Sequence, residues 1–357
     1  MGVGKTRQNG ADGDGIMQKT IFVVDDNDIN LSVAESALED QYRVMTLPSA
    51  AKMFALLEKV PPPDLILLDI EMPEMDGFEA LLRLKGNSAH AGIPVIFLTS
   101  MTDAEVEVRG FQLGVIDFIT KPFSAPVLLN RIKTHLDIDT VIRERTAQLE
   151  NLKNGIVFVL ADMVENRDQG TGGHVERTTR YIEILVKAMM NNNEYANAIR
   201  FMDIESLISS ARLHDVGKIS ISDLILNKPD KLTDEEFEKM KTHTMEGERI
   251  IDQIVSRTDN VEFLRNARSF TNAHHERWDG KGYPYGLKGD EIPMQGRIMA
   301  IADVYDALIS ERPYKKPFTH EEACKIIKDG AGTQFDPALV EIFLSVEGSF
   351  AQLNEKE

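Results

Sequence analysis

Cysteine is almost absent from this chain: Cys324 is the only one among 357 residues. A disulfide framework within the chain and a cysteine-based zinc site are therefore excluded. The amphipathic helical pattern around Cys324 predicts a buried structural thiol. Long hydrophobic runs are also absent, since no apolar stretch approaches the ~18 residues of a membrane span and the N-terminal segment has no hydrophobic signal region. We therefore expect no transmembrane helix, no secretory leader and a cytoplasmic location.

The chain also lacks an excess of positive charge, because its formal net charge is -18. Binding to a nucleic-acid polymer needs a cationic face, so that class of partner is not expected. An anionic substrate would need local help from metal ions or from a few lysines and arginines. A hydrophobic content of 42% predicts packed cores, and the length suits two or three domains. Residues 1–18, rich in glycine and polar groups, are predicted to form a flexible tail.

Residues 20–123 alternate short apolar runs with amphipathic segments. Strands are predicted at 20–24, 64–68, 94–98 and 117–120, and helices near 28–39, 49–59, 76–85 and 103–113. This βαβ rhythm indicates an α/β domain with a parallel sheet and helices on both faces.

Polar side chains follow the apolar runs of this region. They are Asp25, Asp26, Asp69, Thr99 and Lys121. Because ligands of such sheets gather beyond the carboxyl ends of the strands, we expect these groups to meet at one edge. Three converging carboxylates repel one another unless a hard divalent cation lies among them, and Mg²⁺ prefers such oxygen ligands. In the alternative interpretation, each aspartate only caps a helix.

Residues 19–123 resemble the response-regulator receiver domain. The resemblance rests on Asp25-Asp26, the run from Asp69 to Gly77, Thr99 and Lys121-Pro122. It implies a doubly wound, five-stranded parallel sheet in which Asp69 accepts a phosphoryl group from a cognate sensor histidine kinase. The acidic pair would hold Mg²⁺ together with Asp69, while Thr99 and Lys121 would contact the phosphate. Phe118 occupies the position of an aromatic residue that swings inward on activation.

From residue 124 to residue 166 the sequence has almost no turn-forming residues, and Gly155 is its only glycine. Apolar residues recur at a spacing of three or four, which is typical of a helix seam that Arg145 interrupts. We predict one long helix, residues 124–166, that joins two domains and pairs with its copy in a homodimer. In the alternative, this helix packs only against its own domains.

Residues 167–350 are predicted to form an all-α domain, because helical patterns and two capping boxes replace the strand pattern. Most of the histidines lie in this region close to two aspartates. They are His174, His214, His243, His274 and His275, accompanied by Asp215 and Asp303. The other histidines, His90, His135 and His320, are predicted to have only structural roles.

Imidazole and carboxylate ligands without a thiolate suit Fe, Mn, Zn, Co or Ni ions. Seven such ligands exceed the needs of one ion, so we predict two ions that share a bridging carboxylate, with Asp215 as the bridge. Two ions ~4 Å apart lower the pKa of a shared water from about 15.7 toward 7 and stabilise the attacking and leaving oxygens at phosphorus. The residues therefore predict a phosphoester hydrolase.

This region resembles the HD-GYP family, a branch of the HD phosphohydrolases. The resemblance rests on Asp168 to His174, His214 to Lys218, His243, His274 to Glu276, Asp279 to Pro284, Arg297-Ile298, Ala302 to Leu308 and Arg312 to Lys315. It implies a phosphodiesterase that opens cyclic di-GMP to linear pGpG by attack of a metal-bridging hydroxide, with slower onward release of GMP left open. One ion would take His174, His214, Asp215 and Asp303, and the other would share Asp215 and take His243, His274 and His275. Fe and Mn are the expected metals.

The resemblance also assigns residues to the substrate. They are Lys218, Tyr283, Arg297, Arg312 and Lys315. Lys218 would offset charge on a phosphate oxygen and act in catalysis together with Asp215. The cationic residues within 312–315 would contact the guanine or its phosphate. For Tyr283 and Arg297 a structural role, in shaping a loop or in an ion pair, is the alternative.

Some HD-GYP proteins place a glutamate one helical turn before the first ligand histidine, where it recruits a third ion. Gly170 occupies that position here, so we predict two ions, while Glu165 and Glu176 leave a weak third site open. Two other functions compete with the leading one: hydrolysis of another nucleotide, and a receiver-linked module that senses cyclic di-GMP or docks proteins without turnover. We expect phosphorylation of Asp69 to regulate hydrolysis.

Overall fold

The structure is a computed structural model, and it describes residues 18–100, 104–168, 173–192, 195–200, 202–258, 261–310 and 316–354. The chain divides into two compact units, with the boundary between Gln148 and Leu149. The predicted N-terminal tail lies almost wholly outside the described residues. Among the helices that are described, none combines the length and the apolar character of a membrane span.

The first unit contains a five-stranded parallel sheet. Its strands are β1 (Thr20–Val24), β2 (Arg43–Leu47), β3 (Leu65–Asp69), β4 (Val95–Thr99) and β5 (Asp117–Thr120), in the order β2-β1-β3-β4-β5. Every residue of β3 and β4 is buried, whereas β2 lies at an edge and only Leu47 is buried there. The buried strands are apolar runs in the sequence, so they could be predicted. The edge strand β2 is half exposed and forms no such run, so the sequence pattern did not predict it.

Four helices connect the strands of this sheet. They are α1 (Asp28–Leu38), α2 (Ala50–Leu57), α3 (Gly77–Lys85) and α4 (Ala104–Gln112). Alternate strand residues enter two separate hydrophobic clusters: Phe22 and Val24 belong to one, and Ile21 and Val23 to the other. Successive side chains of a strand point to opposite faces, so both faces of the sheet are covered. The predicted doubly wound α/β fold is confirmed.

A single helix, α5 (Ala125–Glu165), spans 41 residues and agrees with the predicted helix within one residue at each end. Val157, Ala161 and Val164 on this helix are buried. Leu149 and Leu152, which are also apolar, are 66% and 60% exposed. Within the part of the chain that the structure describes, only some residues of the apolar seam are therefore covered.

The second unit is built from helices, as predicted. They are α6 (His174–Met190), α7 (Ala196–Ile199), α8 (Ile204–Ser210), α9 (Asp223–Leu226), α10 (Asp234–Lys241), α11 (His243–Val255), α12 (Val261–Ala273), α13 (Met294–Ile309), α14 (His320–Asp329) and α15 (Pro337–Asn354). Both predicted capping boxes form, at Thr233 and at Thr319. The core of the unit includes the fully buried rings of Tyr181, Tyr305 and Phe343.

Candidate metal centre and phosphorylation site

The carboxyl edge of the sheet collects the polar residues predicted to meet there. Asp25 follows β1 and Asp69 ends β3, and both are buried, whereas Asp26 is exposed. One carboxylate oxygen from each of these three residues lies within 4.8 Å of the other two. Thr99 is buried at the end of the neighbouring strand β4. An oxygen-only ligand set of this kind fits Mg²⁺.

Lys121 joins two of these carboxylates. Its Nζ lies 2.7 Å from Oδ2 of Asp25 and 2.7 Å from Oδ1 of Asp69. Burial lowers the pKa of Lys121, but the hydrogen bonds to the two carboxylates outweigh it and raise the pKa. Burial raises the pKa of Asp69, against the opposing hydrogen bond from Lys121. The cation therefore stays charged beside the predicted phosphorylation site.

Phe118 faces the interior of the first unit in this structure. Its ring packs edge-on against Phe97 and Phe111, with centroid distances of 5.7 and 5.1 Å. Gly110 on α4 leaves room for it, because a Cβ at that position would lie 2.4 Å from Cζ of Phe118. The sequence pattern did not single out Gly110.

In the second unit, His214 and Asp215 lie between two short 3₁₀ turns, Ala211–Leu213 and Val216–Ser220. The second turn approaches α11 so closely that a Cβ on Gly217 would lie 1.8 Å from the carbonyl oxygen of His243. Only glycine fits at this contact. The close approach is what brings His214 and Asp215 beside a histidine that begins a distant helix.

Asp215 lies between two groups of histidines. Its Oδ2 is 3.4 Å from Nε2 of His214, while its Oδ1 is 3.4 Å from Nε2 of His243 and 3.6 Å from Nε2 of His274. Within each of two groups, ligand atoms lie within 4.8 Å of one another: His174, His214 and Asp215 in one, and His243, His274 and His275 in the other. Oδ1 of Asp303 is 3.5 Å from Nε2 of His174. The structure thus brings together all seven residues predicted as metal ligands.

Four of the five histidine rings are held by contacts of their Nδ1 atoms. In three of them Nδ1 lies 2.7–3.0 Å from a backbone carbonyl three or four residues earlier: His214, His243 and His274. Nδ1 of His174 is instead 2.8 Å from Oδ2 of Asp306. Because a carbonyl or carboxylate only accepts, Nδ1 carries a proton in each of these four rings, and in the neutral ring the lone pair of Nε2 faces the centre.

The electrostatics of the centre fit bound cations. Oδ1 of Asp215 is buried and has no hydrogen-bond partner in the described chain. Burial raises the pKa of Asp215, but the charges of Lys218 and His214 outweigh it and hold the pKa well below its usual range. Burial lowers the pKa of His243 to about 4. An ionised carboxylate beside several imidazole rings is a ligand set that suits a divalent transition-metal ion.

Lys218 lies beside this centre. Its Nζ is 2.9 Å from Oδ2 of Asp215 and 2.9 Å from Oδ2 of Asp168. Burial lowers the pKa of Lys218, but the two carboxylates outweigh it and raise the pKa above its ordinary value. Asp168 belongs to a motif of the sequence, but that motif does not specify the ion pair of Asp168 with Lys218.

The glycine-rich loop packs against one end of the histidine cluster. The ring of Tyr283 lies 4.7 Å from that of His275, centroid to centroid. The buried carboxylate of Glu276 accepts hydrogen bonds from the backbone N–H groups of Tyr285 at 2.7 Å and of Leu287 at 3.0 Å. Glu276 therefore ties the loop to the histidine pair that precedes it.

The other residues predicted to bind substrate have different surroundings. Nη1 of Arg297 is 3.0 Å from the buried Oδ2 of Asp336 and 3.1 Å from Oδ1 of Asp290. In this structure Arg297 therefore forms ion pairs within the chain, which is the alternative role predicted for it. Arg312 and Lys315 lie outside the described residues.

The positions relevant to a third ion are only partly described. Gly170 lies outside the described residues. The buried Glu165 accepts from the backbone N–H groups of His174 at 2.6 Å and of Val175 at 3.3 Å, which caps the start of α6. Glu176 pairs with Arg180 at 2.6 Å. Both acids predicted as candidates for a weak third site thus have partners within the chain.

Comparison with known protein families identifies two domains in the chain. The model of the HD domain family matches residues 158–339, and that of the response regulator receiver domain matches residues 21–133. Both kinds of domain bind divalent metal ions, in accord with the two ligand clusters.

Three curated relatives resemble most of the chain. A probable cyclic di-GMP phosphodiesterase of Vibrio cholerae is 39% identical, and the match covers 96% of this chain and 80% of that protein. A cyclic di-GMP phosphodiesterase of Thermotoga maritima is 32% identical, over 95% and 93% of the two chains. The cyclic di-GMP phosphodiesterase response regulator RpfG of Xanthomonas campestris is 34% identical, over 81% and 77%. The chain therefore belongs to the HD-GYP family of response regulators, in which a receiver domain precedes an HD domain.

Proposed function

We propose that the helical unit hydrolyses cyclic di-GMP to linear pGpG and that phosphorylation of Asp69 regulates this reaction. The observation that carries the proposal is the position of Asp215, whose two carboxylate oxygens face separate groups of histidines. The names of the curated relatives support cyclic di-GMP as the substrate. The product assay below decides whether a second, slower cleavage converts pGpG to GMP.

Two divalent transition-metal ions, Fe or Mn, are proposed for the histidine–aspartate centre. The first would be held by His174, His214, Asp215 and Asp303, and the second by Asp215, His243, His274 and His275. When bound, such a pair supplies an activated water and stabilises charge on the phosphate oxygens. Mg²⁺ would occupy the acidic edge of the receiver sheet, beside Asp69.

The chain's own residues would position the substrate and balance its charge. His214, His243 and His274 are almost completely buried, so the centre excludes bulk water from one side. The charged Nζ of Lys218, next to Asp215, lies where it could neutralise a non-bridging phosphate oxygen. Asp168 holds Lys218 in this position. The ring of Tyr283, beside His275, offers a flat surface for a guanine base.

A product assay tests the hydrolase. The full chain would be purified without oxygen, stripped of metal and reloaded with Fe²⁺, Mn²⁺ or Zn²⁺. Each form would then be incubated with cyclic di-GMP, and pGpG and GMP would be separated by chromatography. We expect pGpG from the wild type and none from Asp215→Asn. A fully loaded two-ion centre without product would favour the sensing module, and faster cleavage of another nucleotide would favour the other hydrolase.

The regulatory part of the proposal has its own test. A sensor histidine kinase would supply the phosphoryl group, and beryllofluoride can stand in for it. We expect the hydrolysis rate to change when Asp69 is modified, and Asp69→Asn to abolish that change. Asp40→Asn, at an exposed position of the same unit, is the matched control. Equal rates in the free, modified and Asp69→Asn proteins would contradict regulation by the receiver.

We also propose that α5 pairs with its copy in a homodimer, with residues 19–123 as receiver, 124–166 as helical linker and 167–350 as catalytic domain. Leu149, Leu152 and Ile156 are 66%, 60% and 52% exposed. Their spacing of three and four places them on one stripe of the helix. Light scattering across a range of concentrations tests this. We expect a dimer that Leu152→Lys weakens, and a monomer at all concentrations would contradict it.

A further inference from the structure

A second group of metal-ligating side chains lies in the helical unit and shares no residue with the histidine–aspartate centre. His320 begins α14, Cys324 follows one turn later on the same helix, and Glu347 lies on α15. One ligand atom from each of the three lies within 4.8 Å of the other two. A nitrogen, a sulfur and an oxygen thus converge at the contact between two helices.

The position of His320 is fixed on two sides. The capping box of Thr319 and Glu322 begins α14 at this residue, and residues four apart on a helix share a face. Nδ1 of His320 lies 2.8 Å from the hydroxyl oxygen of Tyr305. When Nδ1 carries the proton and donates to that oxygen, the Nε2 lone pair is free for a cation, as in other metal-binding histidines.

The distances within the group suit a shared cation. Sγ of Cys324 lies 3.6 Å from Nε2 of His320 and 3.7 Å from Nδ1. A tetrahedral ion with bonds of about 2.3 Å to sulfur and about 2.1 Å to nitrogen needs a separation of this size.

We propose that His320, Cys324 and Glu347 form a binding site for one borderline-soft divalent cation of the Zn²⁺ class, in addition to the two-ion centre. Thiolate, imidazole and carboxylate are all ligands that Zn²⁺ accepts, and three protein ligands leave a fourth position for water. A single cysteine excludes zinc sites with several thiolates but not a mixed site of this kind. The proposal also gives His320, expected from the sequence to be structural, a ligand role.

Protonation of the thiol sets the conditions for binding. Without a cation, burial raises the pKa of the Cys324 thiol to about 12, and its hydrogen bond to Glu347 adds to the effect. A cation must therefore displace the thiol proton when it binds. The apparent affinity of the site for the cation should therefore rise with pH. Above pH 7, a site made only of neutral imidazole and carboxylate would show a much smaller rise.

Because Cys324 is the only thiol of the chain, a spectroscopic signal from a metal–thiolate bond reports on this site alone. The full-length protein would be stripped of metal under reducing, anaerobic conditions and titrated with Co²⁺, which enters Zn²⁺ sites. Thiolate-to-Co²⁺ charge-transfer absorption in the near ultraviolet can arise only at Cys324, since the histidine–aspartate centre contains no sulfur. We expect a band that saturates at one thiolate-bound Co²⁺ per chain, strengthens with pH and disappears on addition of Zn²⁺.

Variants of the other two ligands complete the test. We expect His320→Gln and Glu347→Gln to raise the Co²⁺ concentration at half-saturation of the band by at least about tenfold. Glu341→Gln, at an exposed position on α15, should leave the band unchanged, and circular dichroism checks that each variant is folded. Absence of the band in the wild type, at Co²⁺ concentrations that fill the other centre, would overturn the proposal. So would unchanged half-saturation in both ligand variants.

Discussion

Nδ1 of His174 and Oδ2 of Asp306 lie 2.8 Å apart, and both residues are buried. Asp306 lies one helical turn after Asp303 on α13, and Nε and Nη2 of Arg177 donate to it at 2.7 and 3.0 Å. Burial raises the pKa of Asp306, but the hydrogen bonds from His174 and Arg177 outweigh it and lower the pKa. The ionised carboxylate therefore keeps the proton of His174 on Nδ1 and leaves Nε2 for a metal ion.

Replacement of Asp306 by asparagine tests this relationship. The amide carries no charge, so it orients His174 less firmly and leaves the guanidinium of Arg177 without its anion. We expect Asp306→Asn to lower metal affinity or hydrolysis by about 10–100-fold. Metal per chain by mass spectrometry and the rate of pGpG formation measure the two effects. Asp329→Asn, at an exposed carboxylate of α14, is the control, and an Asp306→Asn protein equal to it in both measurements would refute the role.

Several site residues could be predicted because their signal is local. Asp25 and Asp69 stand at the ends of apolar runs, and parallel strands bring such ends to one edge. The long helix α5 could be predicted because the sequence has almost no turn-forming residues there. The histidine cluster is recognisable because adjacent His274 and His275 and the pair His214-Asp215 match a family motif. In each case the information lies within a few neighbouring residues.

Other features depend on contacts between distant parts of the chain. The edge strand β2 is half exposed, so its residues form no apolar run. Asp168 pairs with Lys218 fifty residues later, and nothing in the local sequence of either residue specifies the partner. The space that Gly110 leaves for Phe118 depends on how α4 packs against β5. Such relationships follow from side-chain direction and packing, which periodicity does not encode.

Gly110→Ala is predicted to disturb the receiver domain. The added methyl group would lie 2.4 Å from Cζ of Phe118, so the ring must move or the helix must shift. Overpacking of this kind costs about 1–3 kcal/mol. We expect a lower urea midpoint by circular dichroism, together with a changed response of hydrolysis to beryllofluoride.

Gly92→Ala is the matched control for this substitution, because a Cβ at that position meets nothing within 4 Å. It should leave both the urea midpoint and the beryllofluoride response unchanged. If Gly110→Ala behaves like Gly92→Ala in both measurements, the ring of Phe118 is not confined as the structure indicates.

Asp117 is predicted to stabilise the receiver in a pH-dependent manner. Nη1 of Arg131 lies 2.8 and 2.7 Å from its two oxygens, and Nε2 of His135 lies 3.0 Å from Oδ2. Burial raises the pKa of Asp117, but the hydrogen bonds from Arg131 and His135 outweigh it and lower the pKa. The folded protein therefore binds this proton less readily than the unfolded chain, whose aspartate pKa is about 3.9.

The stabilisation by Asp117 should be complete above the unfolded pKa and should vanish as the pH falls through the folded pKa. Arg131 is half exposed, so solvent screening keeps the effect small. We expect Asp117→Asn to lower the free energy of unfolding by about 1 kcal/mol at pH 7 and by less near pH 3. Urea unfolding by circular dichroism measures the difference, with Asp40→Asn as the exposed control. A cost that is the same at both pH values would contradict the ionised role of Asp117.

Lys218→Gln should separate charge stabilisation from metal binding. The glutamine keeps much of the side-chain volume but removes the cation that lies 2.9 Å from Asp215. If this charge acts on the phosphate in the transition state, kcat should fall by about 10²–10³-fold while KM changes little. Metal content should stay near that of the wild type, because the histidines and Asp215 remain. Lys239→Gln, an exposed position on α10, is the control. A loss of activity that follows a proportional loss of metal would show that Lys218 supports the metal centre through Asp215, and that it does not act on the substrate.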